Sequence, residues 1–89
     1  MRVESEKFEE LFRNEKIKVK RITSPKDFSS ETFESQEDEW VYVISGHANL
    51  KIGEEVKELK TGDSVFIPKN TPNQVVETFE ETAWLGIYL

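Results

Sequence analysis

From Thr32 to the last residue, short β-prone runs and turn residues alternate with little room for anything else. The runs fall at 39–45, 47–52, 55–60, 63–67, 73–79 and 82–88, punctuated by Gly46, Gly53, Gly62, Pro68 and Pro72. Gaps this short allow hairpins but not the helical crossovers that parallel strands require. Gly53 followed by Glu54 suits a tight hairpin turn, and Thr61-Gly62-Asp63 suits a turn whose glycine takes positive φ. The pattern predicts an all-β fold, an antiparallel sandwich or small barrel.

The first twenty residues read differently. Phe8, Leu11 and Phe12 are spaced as on one face of a helix, with Ser5 placed as an N-cap and Asn14 as a stop, so a short amphipathic helix is predicted over about 5–13. Lys16-Ile17-Lys18-Val19-Lys20 alternates strictly. It predicts a strand with Ile17 and Val19 inward and the lysines toward solvent, a pattern that discourages edge-to-edge pairing. Residues 1–89 are expected to form one domain, the helix leading into a barrel over about 16–89.

Composition narrows the chemistry. The chain has no cysteine, which removes disulfides, thiolate nucleophiles and Cys-ligated metal centres. Its formal charge of −6 divides into +2 over residues 1–30 and −8 over the remainder. An acidic body of this kind repels phosphate backbones, so nucleic acid is not an expected partner. Neither an apolar leader at Met1–Glu6 nor a run of about 20 apolar residues occurs, and a soluble, unprocessed, cytoplasmic protein without membrane contact is expected. At 89 residues the interior is small, and a homodimer is expected to add buried surface.

Two half-motifs then stand out: Glu39 followed by six residues and Gly46, and Gly62 followed by five residues and Pro68. Together with Asp38-Glu39-Trp40-Val41, Leu59-x-x-Gly62-Asp63 and Trp84-Leu85, they make residues 8–89 resemble the cupin superfamily, in particular its short single-domain members. The resemblance implies an antiparallel cupin-type β-barrel, or jelly roll, and pairing of two chains through sheet edges or the N-terminal strand. In cupins three histidines and the glutamate hold a first-row divalent ion. Here the first two histidine positions fall on Phe33 and Ser35, or on Thr32 and Glu34 with a longer spacer; the third falls on Asn73, and the motif's final asparagine on Glu77. Only Glu39 matches. The resemblance therefore implies a degenerate metal site, with no metal and no cofactor.

Strand parity puts Glu39, Val41 and Val43 on one face and Asn73, Val75 and Glu77 on one face of the return strand. Glu34, Gln36, Glu39, Asn73, Glu77 and Trp84 are the candidate ligand contacts. The plainer alternatives are a rim carboxylate for Glu39, turn chemistry after Thr71-Pro72 for Asn73, a solvated loop for Glu34 and Gln36, and core packing for Trp40, Phe66 and Trp84. The lone histidine, His47, is read as a solvated bystander. Two functions stay open. One is a metal-free small-molecule-binding or accessory module; the other is an enzyme of dioxygenase or isomerase type, using an atypical metal site or Glu39 as general base.

Overall fold

The structure, a computed structural model, describes residues 5–89. Eight strands form in chain order: β1 (Lys7–Arg13), β2 (Lys18–Ser24), β3 (Glu39–Ser45), β4 (His47–Ile52), β5 (Glu55–Lys60), β6 (Ser64–Ile67), β7 (Asn73–Thr78) and β8 (Thr82–Tyr88). They make a five-stranded sheet, β1-β2-β8-β3-β6, facing a three-stranded sheet, β5-β4-β7, with every pairing antiparallel. This is the antiparallel sandwich the turn spacing predicts, in the jelly-roll form the resemblance implies, and Gly53 and Gly62 both take positive φ at their turns.

The core lies between the sheets. Val43, Trp84, Val41, Ile22 and Ile67 come from the larger sheet; Ala48, Leu50, Leu59 and Val75 come from the smaller. Alternation along β3 and β4 puts these residues inward at every second position, as a pleated strand with one wet face requires. Residues 27–33 run along the free edge of β7. Asp27 N donates to Thr78 O, Ser30 N to Val75 O, and Phe33 exchanges two backbone hydrogen bonds with Asn73. That cover satisfies a sheet edge that would otherwise be open.

Three sequence expectations are corrected. The helix over 5–13 is absent, because these residues form β1, paired with β2 from Lys7↔Thr23 to Arg13↔Lys18. A bulge between Glu10 and Phe12 makes room for Leu11, so the spacing of Phe8, Leu11 and Phe12 suits a bulged strand as well as a helix. Pairing with β2 decides between them.

The lysine parity in β2 is reversed. Lys18 and Lys20 share the inner face with Ile22 and Ser24, and their ammonium groups lie 5.6 and 5.3 Å from the centre of the Tyr88 ring. Each presents its ammonium to the face of that ring.

Trp40 and Phe66 are not core residues. They stand on the outer face of the larger sheet, 51% and 49% exposed, in a row that crosses all five strands: Phe12, Val19, Ile87, Trp40 and Phe66 are successive register partners.

Candidate functional site

One end of the space between the sheets opens into a cavity of about 350 Å³. Its position follows from register. Across the inner face of the larger sheet, Lys18, Tyr88, Glu39 and Ile67 are successive partners, and the next row holds Lys20, Gly86, Val41 and Val65. Gly86 is what leaves room. A Cβ there would lie 3.2 Å from Glu39 Oε2 and 3.2 Å from Tyr88 Cε1, so the absent side chain is the space these two polar ends occupy.

Glu39 is 8% exposed. Burial pushes its carboxyl up from the usual carboxylate value; the Tyr88 hydroxyl and then the Lys20 ammonium oppose this, and Glu37 adds to it. Tyr88 is in turn pushed well above the usual phenol value, first by burial and then by the charge of Glu39. No ion pair to Glu39 occurs among the described residues.

A second carboxyl borders the same cavity from the chain start. Glu6 accepts a hydrogen bond from Ser24 Oγ at 2.6 Å, and Ser24 Oγ accepts one from Trp84 Nε1 at 2.9 Å. Burial raises the Glu6 carboxyl above its usual value, partly countered by Ser24. The linkage of indole, fully buried hydroxyl and carboxyl ties β8, β2 and the residues before β1 together.

Glu39, Asn73, Glu34 and Trp84 all border this cavity. Asn73 donates its side-chain amide to the carbonyls of Phe33 and Thr71, both at 3.3 Å, which turns its amide group into a strut between the covering segment and β7. Gln36 is exposed and lies away from the cavity. Glu77 is a correction to the expected face. Between β4 and β7 the register shifts, with Leu50 opposite Val75 but Asn49 opposite Glu77, so Val76 is the extra residue and Glu77 turns outward. His47 points away from the cavity, bonded through Nε2 to Glu58 Oε2 at 2.6 Å and packed on Phe79.

Glu6 and Tyr88 were missed in the sequence. Neither belongs to a recognised half-motif, and their approach to Glu39 arises from pairing of strands distant in the chain. The available signal was the period-two run Trp84-x-Gly86-x-Tyr88, which places a gap between two rings on one face.

The donor set does not fit a first-row divalent ion. Phe33 and Ser35, or Thr32 and Glu34, stand at the first two positions and Asn73 at the third; among the described residues no three acids or histidines converge as ligands.

Comparison with known proteins assigns the class. The family model for the cupin domain matches residues 22–88, and the chain belongs to that family. Among solved structures it is similar to a candidate mannose-6-phosphate isomerase of Ralstonia eutropha JMP134, at 28% identity and TM-score 0.86, over 97% of this chain and 85% of that one. An RmlC-like cupin of Shewanella frigidimarina NCIMB 400 shares the fold at 19% identity and TM-score 0.87, over 97% and 77%. So does a conserved protein of unknown function from Streptococcus pyogenes, at 17% identity and TM-score 0.84, over 97% and 75%. No curated protein matches the chain.

Proposed function

We propose that this cupin domain binds a small organic molecule in the cavity between its sheets, without a metal ion, and works as a binding or accessory module. The observation that supports this is the cavity, about 350 Å³ and walled by Trp84, Val41, Leu50 and Val75, with Glu39 held against Tyr88 at its polar side. Preformed, mostly apolar cavities of about 300–1,000 Å³ with a few oriented polar groups are the common form of small-molecule sites. Likeness to a candidate sugar-phosphate isomerase does not carry its substrate over. The charged groups bordering this cavity are the carboxyls of Glu6, Glu34 and Glu39, which repel a phosphate dianion.

A second reading, an enzyme using Glu39 as general base, is favoured by the upward displacement of that carboxyl and by the phenol beside it.

The exposed row from Phe12 to Phe66 supports a homodimer packed face to face through the larger sheet. Three of these positions, Phe12, Trp40 and Phe66, and their neighbour Tyr42 expose large side chains on one face, and contiguous apolar surface of this kind marks interaction sites.

A thermal-shift screen of small molecules tests the binding function. A ligand at a hundred times its Kd adds about 2.7 kcal/mol, a Tm rise of about 10–20 °C for a domain of this size. A broad library without any hit counts against it. About one manganese, iron, nickel or zinc per chain in untagged protein overturns the metal-free reading.

A further inference from the structure

We infer that the cavity selects small organic cations, an ammonium or amidinium group on an apolar or aromatic body. This rests on the reading of the cavity as a ligand site and names the class of ligand it takes.

The polar groups facing the cavity are strongly biased toward acceptors. Glu39 comes from β3, Glu34 from just after the segment covering β7, and Glu6 from the residues preceding β1, so three separate parts of the chain each bring a carboxyl to one space. The side-chain N–H groups of Asn73 are already given to the carbonyls of Phe33 and Thr71, which leaves its oxygen for the cavity. The remaining polar groups are the Tyr88 hydroxyl and the Ser35 hydroxyl, which accepts a hydrogen bond from Glu37 N. The cations nearby are engaged elsewhere on the rim: Lys18 Nζ lies 3.2 Å from Glu37 Oε1, and Lys18 and Lys20 both sit over the Tyr88 ring. Neither lysine borders the cavity.

Glu39 is the group that asks for a partner. A carboxylate removed from water normally takes a cation or a set of N–H donors in exchange. At 8% exposure it has Tyr88 beside it and the Lys20 ammonium near enough to lower its carboxyl but, among the described residues, no ion pair. The rings of Phe8, Phe33, Tyr88 and Trp84 around the same space offer aromatic surface, which attracts cations and packs against apolar bodies alike. A ligand ammonium placed against Glu39 would supply the missing charge, and Glu6 and Glu34 would add to the attraction.

Proton linkage follows from the same geometry. Burial raises both Glu39 and Glu6, so a bound cation favours their ionised forms and binding releases protons; affinity for a cation rises with pH through their titration, and affinity for an anion falls. The groups that bear on Glu39 are Tyr88, Lys20 and Glu37 together with Glu6 and Glu34 across the cavity, and the raised Tyr88 phenol stays protonated in that range.

The test uses one body carrying three charges: phenethylammonium, 2-phenylethanol and 3-phenylpropionate. The chain has two tryptophans, so a Trp40→Phe background makes Trp84, on the cavity wall, the sole fluorescent indole. Phenethylammonium is expected to perturb Trp84 emission and to bind at least about tenfold tighter than 2-phenylethanol at pH 8, the low end of what close charge pairs contribute in desolvated sites. That preference is expected to shrink toward unity at pH 4, and in Glu39→Gln, which keeps the volume and the Tyr88 contact. Glu6→Gln gives a second, partial loss and serves if Glu39→Gln does not fold. Tightest binding of the alcohol or the carboxylate overturns the cation inference and leaves the binding cavity standing. Failure of all three to perturb Trp84 removes the cation inference too, and the thermal-shift library then decides on the cavity separately.

Discussion

Glu39 and Tyr88 are direct register partners across β3 and β8, and their polar ends meet in the space left by Gly86, two residues before Tyr88 on the same face. One buried carboxyl, one phenol and one missing side chain thus define the polar side of the cavity. Gly86 and Tyr88 share a face by their spacing in the chain, but only the pairing of β3 with β8 brings Glu39 to them.

The carboxyl of Glu39 titrates higher in the folded chain than in the unfolded one, because burial outweighs its hydrogen-bonding and charged neighbours. Between the two values the folded state holds more protons, so this group favours folding at low pH, and its contribution is lost as pH rises through the folded value. Glu39→Gln removes the effect. Its Tm is expected to exceed that of the unmodified chain above pH 7 and to converge with it toward pH 4, each kcal/mol of relief appearing as about 4–8 °C in calorimetry.

Gly46 and Gly86 are predicted to differ sharply in their tolerance of alanine. At Gly46, with φ of +123°, a Cβ would lie 2.6 Å from the Thr82 Cα and 2.8 Å from the Glu81 carbonyl oxygen, contacts with backbone that no rotamer relieves. Gly46→Ala is expected to cost about 3 kcal/mol or more in urea denaturation, combining an unfavourable dihedral with overpacking. Gly86→Ala meets the ends of flexible side chains, and should cost about 1 kcal/mol while weakening ligand binding.

Ser24 is fully buried and holds both the Trp84 indole and the Glu6 carboxyl. Ser24→Ala leaves a buried N–H and a partly buried carboxyl without that partner. A loss of about 1–3 kcal/mol is expected, with the larger value at high pH where Glu6 is ionised, measured by chemical denaturation at pH 5 and 8.

The outer face of the larger sheet predicts the state of assembly. Light scattering should give twice the chain mass of 10.4 kDa, and Trp40→Glu or Phe66→Glu should reduce it to the single value without unfolding the chain. A monomer in the unmodified protein would remove the face-to-face pairing.

The alternating runs from Thr32 onward, with glycine and proline between them, were enough to read six of the eight strands and the all-β class, since turn chemistry and two-residue periodicity are local properties. The two half-motifs carried the resemblance to cupins, and strand parity put Glu39 on one face with Val41 and Val43; that face is the inward one, and Glu39 borders the cavity with Asn73. Parity failed wherever a bulge intervened. Leu11 in β1 and Val76 in β7 each insert one residue, so residues 5–13 imitated a helix and Glu77 was assigned to the wrong face. Lys18 and Lys20 were placed outward on the alternation of lysine with apolar residues; pairing with Tyr88 and Gly86 on β8 brings them to the inner face, where their ammonium groups sit over the Tyr88 ring. Sequence by itself determined which segments extend and where they turn, because those depend on neighbours a few residues away. Tertiary structure alone decided which side chains meet in the cavity, because Glu6, Glu39 and Tyr88 converge through strand pairings whose register no local pattern records.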